Sequence, residues 1–283
     1  MTPLSTVRTK TELRARIAAW RAAGQSISLV PTMGALHEGH LSLVRLARSR
    51  TRRVVVSLFV NPAQFAPGED FDAYPRDEAR DAALLGEGGC DLLYGPGLEE
   101  IYPAGFSTTV SVAHLSAPME GIARPHHFAG VATVVAKLLI QAAPDVAVFG
   151  EKDYQQLLVI RRLARDLDLP VEIVGAPIVR GPDGLALSSR NAFLTPAQRQ
   201  VAPALHAALV EAAKRVGSGG DIARAETAGR TALTGAGFDE IDYFEVRRAD
   251  DLRRFESGAI DSLARTLAAA RLGTTRLIDN QAV

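Results

Sequence analysis

Cys90 is the single cysteine in 283 residues, which excludes an intrachain disulfide and a multi-thiolate metal site and suits a reducing compartment. No apolar stretch approaches the roughly 20 residues that a membrane helix needs. The opening stretch MTPLSTVRTKTELRARIAAW has no apolar core of the kind that marks a secreted chain. A cytoplasmic protein without a membrane partner is expected. Charge of one sign is also missing, because 32 basic and 32 acidic residues cancel. No global field gathers nucleic acid or an anionic surface, and an anionic ligand has to be held locally. Internal repeats and low-complexity tracts are absent as well. What remains, 47% hydrophobic and 23% charged residues, is the composition of an ordinary globular chain.

The order of apolar patterns predicts the fold. Thr9 and Glu12 have capping-box spacing ahead of a helix that runs to Gly24, and SISLV (Ser26 to Val30) follows as a buried strand. Helical spacing in LSLVRLARSR gives way to the β-branched run VVVSLFV, then to DLLY and TTVSV as short strands. FAGVATVVAKLLIQAA reads as an apolar helix ending before Pro144, DVAVF as a strand, YQQLLVIRRLARDL as a helix and VEIVGAP as a further strand. Apolar strands joined by helices of this length predict an α/β fold with a doubly wound parallel sheet over residues 1–180. Gly181, Pro182, Asp183 and Gly184 break the pattern. Residues 181–283 read as a smaller α+β domain. Thr195 and Pro196 open a helix there that extends to Val216, EIDYFEVRR is a strand, and the alanine-rich Ala268 to Leu272 is a helix or turn before a last strand.

Four segments carry chemistry. PTMGALHEGHLSLVR places His37 and His40 where a strand hands over through a glycine loop to a helix. Open α/β sheets bind ligands at that edge, and a helix N-terminus favours an anion such as phosphate. Two imidazoles there can donate to phosphate oxygens. The alternative is that they simply cap the helix. FGEKDYQQ follows another strand, so Gly150, Glu151, Lys152 and Asp153 fall at the same kind of edge, with a cation for phosphate and a carboxylate for ribose hydroxyls. LSSRN (Leu187 to Asn191) sets two hydroxyls beside a guanidinium at the interdomain break, a kit for gripping polyphosphate. FVNPAQF offers the neutral amides of Asn61 and Gln64, and Gln156 adds another. Asp81, after Tyr-Pro-Arg, is a candidate magnesium partner, and Glu120, Arg124, His126 and His127 form a cluster that reads more readily as a cap of the following helix.

PTMGALHEGH, FVNPAQF, YPR, HFAGVATVV, FGEKDYQQ and SSRN occur in an order and at spacings that resemble the pantoate–beta-alanine ligase family, which shares its nucleotide-binding fold with the HxGH nucleotidyltransferases. The resemblance implies ATP-dependent condensation of (R)-pantoate with beta-alanine through a pantoyl adenylate, giving pantothenate, AMP and pyrophosphate, with Mg2+ screening the phosphates and a homodimer as the assembly. It implies that Met33, Gly34, Ala35, Leu36, His37, Glu38, Gly39 and His40 lie along ATP, with His40 a proton donor. Gly150, Glu151, Lys152 and Asp153 would contact the nucleotide, Val179 the adenine, and Leu187, Ser188, Ser189 and Arg190 would close over the triphosphate. Gln64 and Gln156 would hold pantoate. An acidic pair after Tyr-Pro-Arg is common in the family; here Arg80 precedes Asp81.

Overall fold

A computed structural model describes residues 4–66, 69 and 71–283. In chain order the elements are β1 (Thr6–Val7), α1 (Lys10–Ala22), β2 (Ile27–Thr32), α2 (Glu38–Arg50), β3 (Arg53–Leu58), a 3-10 turn (Pro62–Gln64), α3 (Glu78–Glu87), β4 (Leu92–Tyr94), α4 (Leu98–Ile101), α5 (Glu120–Ala123), α6 (His127–Ala142) and β5 (Val146–Gly150). A second 3-10 turn (Glu151–Asp153) leads into α7 (Tyr154–Asp166) and β6 (Glu172–Ala176). A third (Ser189–Phe193) precedes α8 (Pro196–Val201), α9 (Ala204–Gly217), α10 (Ile222–Ala236), β7 (Glu240–Arg248), β8 (Ala264–Leu272) and β9 (Thr275–Ala282). The chain divides into two compact units, residues 1–151 with 159–177, and residues 152–158 with 178–283.

In the first unit six parallel strands are ordered β1-β4-β3-β2-β5-β6. The chain winds outward from β2 through β3, then crosses back to β5 on the other side, so β2 and β5 flank the switch point where such sheets leave a crevice. Val30, Val54, Val56 and Val148 are buried against Leu43 and Val44 of α2 and Leu85 of α3. Leu29 and Val55, one residue off and fully buried, face the other side by strand alternation. The doubly wound sheet is as expected.

One expected strand does not form. Thr108 to Val112 belong to no strand, because Val110 bonds to the Thr133 side chain of α6 instead of a neighbouring strand.

In the second unit α9 and α10 cover the antiparallel sheet β7-β8-β9. Leu205, Leu209, Val216, Phe244, Val246 and Leu272 form its core. Ala268 to Leu272, expected as a helix or turn, is the middle of the central strand β8, where Ala268, Ala269 and Ala270 are fully buried. Burial on both faces overrides alanine's helix propensity. The helix expected up to Val216 is two, α8 and α9, because Pro203 lacks the N–H that continuity requires.

Candidate active site

The histidine segment is built on the end of β2. Leu29 pairs with Ala147 in parallel register, so Thr32 and Gly150, three residues further along each strand, end at the same sheet edge. Gly34 and Ala35 then take positive φ values of 85° and 51°, turning the chain from strand to helix. A left-handed alanine is strained, and Asp81 holds it. Its Oδ2 accepts from the Ala35 amide at 2.9 Å and its Oδ1 from the Leu36 amide at 2.8 Å. A side chain at Gly34 would bring Cβ to 3.0 Å from Asp81 Oδ2. Asp81 is 1% exposed, and burial pushes its carboxyl above the usual range against the opposing pull of those two amides.

His37 is the N-cap of α2, which begins three residues before the expected Leu41. Its Nδ1 accepts from the Gly39 amide at 3.1 Å, and His40 Nδ1 accepts from the His37 amide at 3.3 Å. The capping alternative and the ligand alternative are therefore compatible. With Nδ1 an acceptor, each neutral ring carries its proton on Nε2, which makes that atom a donor. The ring centroids lie 4.2 Å apart. Leu36 is buried beneath the loop, and Glu38 is exposed and paired with Arg45.

A second cluster centres on the Pro62–Gln64 turn. Asn61, 1% exposed, donates from Nδ2 to Gln64 Oε1 at 3.2 Å and to the Gly130 carbonyl at 3.1 Å, and accepts from the Tyr102 hydroxyl at 2.8 Å. With its oxygen so held, the Gln64 amide turns Nε2 toward Met33 Sδ at 3.0 Å, joining this turn to the histidine segment. The Gln64 carbonyl receives Arg124 Nη2 and meets His127 Nδ1, each at 3.0 Å, and Arg124 also grips Glu69 at 2.6 and 2.7 Å. Arg124 and His127 thus hold the turn, in addition to standing near the start of α6. Tyr102 is the residue that sequence reasoning missed at this cluster, and Arg124, expected as part of a helix cap, bonds to the Gln64 carbonyl instead. Their signal lay in the Asn61–Gln64 motif, but its partners are 41 and 60 residues away. A cavity of about 570 Å³, bordered by Pro62, Tyr102 and Phe106, flanks the turn.

In the second unit, Lys152 and Asp153 form an ion pair at 3.7 Å in the 3-10 turn that opens α7, where Gln156 is half-buried and Gln155 is 4% exposed. Val179 accepts from the Leu187 amide at 2.9 Å, closing a hairpin whose tip is Gly181 to Gly184. Ser188 caps the turn that follows, accepting from the Arg190 amide at 3.3 Å, and the turn carries Ser189 and Arg190. The structure thus brings Met33 to His40, Gln64, Asp81, Gly150 and Glu151 into the first unit. Lys152, Asp153, Gln156, Val179 and Leu187 to Arg190 fall in the second.

Asp81 does not fit the metal role expected of it. Both oxygens are engaged by backbone amides, the group is buried, and no group of three His, Cys, Asp or Glu suited to a metal ion occurs among the described residues. Nor does any helix among them have the length and apolarity to cross a membrane.

Residues 5–282 match the family model of pantoate-beta-alanine ligase. The chain is 60% identical to pantothenate synthetase of Caulobacter vibrioides over all of both chains. It is 55% identical to that of Rhodospirillum rubrum over 99% of each. The crystal structure of pantothenate synthetase from Thermus thermophilus superposes with a TM-score of 0.92 at 50% identity, covering 98% of this chain and 99% of that one. Pantoate-beta-alanine ligase from Francisella tularensis, complexed with beta-gamma ATP and beta-alanine, gives 0.82 at 31% identity over 99% and 97% of the two chains. The chain belongs to the pantoate-beta-alanine ligase family.

Proposed function

We propose that this chain condenses (R)-pantoate with beta-alanine at the expense of ATP, and that the histidine-capped start of α2 at the β2/β5 switch point is where the phosphates react. In the first step a pantoate carboxylate oxygen bonds to the α-phosphorus and the bond to pyrophosphate breaks, leaving pantoyl adenylate. In the second the beta-alanine amine bonds to the acyl carbon, the acyl–phosphate bond breaks, AMP leaves and the amine gives up a proton. The observation that carries this reading is the pair of Nδ1-acceptor rings, which leaves each Nε2 a donor at the positive end of a helix dipole. The Francisella relative, complexed with beta-gamma ATP and beta-alanine, supports the choice of nucleotide and amine.

His40 and His37 donate to the reacting phosphates, and Lys152 and Arg190 stabilise the charge that develops on them. Met33 to His40 and Gly150 to Asp153 line the nucleotide, Asp153 takes the ribose hydroxyls, Val179 meets adenine, and Leu187 to Arg190 close on the triphosphate. Gln64, pre-oriented by Asn61, and Gln156 hold pantoate. Mg2+ enters as part of the ATP substrate, and Asp81 serves as the anchor of the histidine loop instead of as its ligand. The chain works as a homodimer, as its resemblance to the family implies. Sedimentation as a 30.1 kDa monomer would overturn the dimer. A reaction that consumes ATP suits the cytoplasmic location expected from the sequence.

The test is to incubate the protein with ATP, magnesium, pantoate and beta-alanine. Beta-alanine-dependent AMP and pyrophosphate are expected, and ADP instead of AMP refutes the reaction. H40A should fold normally and lose adenylate formation, and a wild-type rate would remove His40 from the mechanism.

A further inference from the structure

The residue that bonds to the Lys152 carbonyl lies 128 positions away, in the last strand. Asn280 of β9 is 2% exposed, and its side-chain amide works in both directions. Nδ2 donates to the Lys152 carbonyl at 2.9 Å, and Oδ1 accepts from Arg265 Nη1 on the neighbouring strand β8. The amide has one sensible orientation: flipped, it would set an NH2 against a guanidinium and an oxygen against a carbonyl. The Arg265 guanidinium lies 3.8 Å from the centre of the Tyr154 ring, and the Tyr154 hydroxyl donates to the Ala249 carbonyl at 2.8 Å. Residues 152 and 154 are therefore both gripped from β8 and β9.

The preceding residue of β9 extends the grip. Asp279, 4% exposed, takes Arg180 in a two-pronged ion pair at 2.6 and 2.9 Å, and Arg180 also donates to the Asn280 carbonyl at 3.2 Å and the Gly184 carbonyl at 3.1 Å. Arg180 pairs with Ala186 across the hairpin that feeds the Ser-Ser-Arg turn. The Asp279–Asn280 pair thus fixes two segments remote in sequence, one carrying Lys152 and one leading to Arg190.

We propose that Asn280 is a positioning residue of the ligase reaction, setting the Lys152 ammonium by fixing the backbone from which it projects. The inference rests on the phosphate-stabilising role given to Lys152 above. The 151–153 segment is a single 3-10 turn, a poorly hydrogen-bonded element, and lysine is a long side chain with much rotamer freedom, so the placement of its charge depends on how firmly its root is held. Charge stabilisation at a reacting phosphate is sensitive to displacements of about 1 Å, which can cost on the order of 100-fold in rate.

The test is a double-mutant cycle on the full chain with N280A, K152A and the combined variant, with N280D beside them. Asp at 280 can still accept from Arg265 but cannot donate to the Lys152 carbonyl. N280A and N280D are each expected to lower kcat about 10- to 100-fold, with KM for beta-alanine unchanged. In the K152A background N280A is expected to add no more than about twofold, the scatter expected of independent sites. A full additional loss in that background, or a wild-type kcat in N280D, overturns the proposal. Failure of every position-280 variant to give the wild-type circular dichroism spectrum also overturns it, because the residue is then structural. A wild-type rate in K152A alone removes the role of Lys152 and is recognised separately, since the loss in N280A then has no lysine to act through.

Discussion

Replacing Gly130 by alanine separates two opposed expectations. Gly130 lies inside α6 and has a negative φ, so conformational freedom is not its reason. On propensity alone, alanine in a helix interior gains about 1 kcal/mol over glycine. The space argues the reverse. A Cβ at 130 would stand 2.1 Å from the Ala63 carbonyl oxygen, 2.5 Å from its carbon and 2.7 Å from the Gln64 nitrogen, all backbone atoms that cannot rotate away. Ordinary carbon contacts begin near about 3.5 Å, so the Pro62–Gln64 turn has to shift by roughly 1 Å. Overpacking of this kind costs about 1–3 kcal/mol, enough to cancel or exceed the helix gain, and lowers Tm by a few degrees at most. The larger consequence is functional, because the displaced turn carries Gln64, whose amide is oriented through the bonds of Asn61 to Gln64 and to Gly130. A 1 Å error in a substrate-holding group costs on the order of 100-fold. Steady-state kinetics with pantoate varied and the other substrates saturating should show kcat/KM for pantoate down about 100-fold. A G130A protein with a raised Tm and kcat/KM within about threefold of wild type, a cost under 1 kcal/mol, would refute the packing argument and the placement of Gln64 together.

Two further outcomes follow from buried groups. D81N keeps one acceptor for the Ala35 and Leu36 amides but turns an NH2 toward the other, a donor facing a donor, at a cost of about 1.5–3 kcal/mol for the lost charged hydrogen bond. With the histidine loop unpinned, kcat should fall about 10- to 100-fold while the magnesium concentration giving half-maximal rate stays put. A shift in magnesium dependence at retained kcat would restore Asp81 as a metal ligand. The second outcome concerns His206, whose Nδ1 is buried without a hydrogen-bond partner and sits 3.7 Å from Asp279 Oδ2. Burial, and then the Arg180 charge, hold its pKa below the ordinary 6.5, with Asp279 opposing. Because the folded value is depressed, the unfolded chain takes up the proton first as pH falls. The stability from the neutral ring is complete above about 6.5 and is lost as pH drops from there through the lowered folded value. Thermal melts from pH 8 to 5 should therefore fall more steeply for wild type than for H206Q, and parallel curves would contradict this.

The sequence made the parallel sheet legible because its strands are buried on both faces and read as uninterrupted apolar runs, and because capping signals such as Thr9 with Glu12 are local. The misreadings have a common physical origin, since each depended on what packs against a segment. Ala268 to Ala270 carry a helix former's composition but lie in a strand between two others under α9, and Thr108 to Val112 carry a strand former's composition but meet a threonine side chain. The site divides along the same line. His37 and His40 could be recognised because their placement is set within one strand–loop–helix unit, where sequence distance and spatial distance agree. Asp81 could not, because a carboxylate following Tyr-Pro-Arg looks the same on paper whether its oxygens face a cation or two amides 45 and 46 residues earlier. The same holds for Asn280, whose amide meets Lys152 across 128 residues of chain. Motifs expose the residues that meet ligands, whereas the residues that aim them are recruited from wherever the fold brings an acceptor or donor within 3 Å. A variant survey of this enzyme confined to its motifs would therefore find the groups that touch phosphate, and would miss Asp81, Tyr102, Arg124 and Asn280.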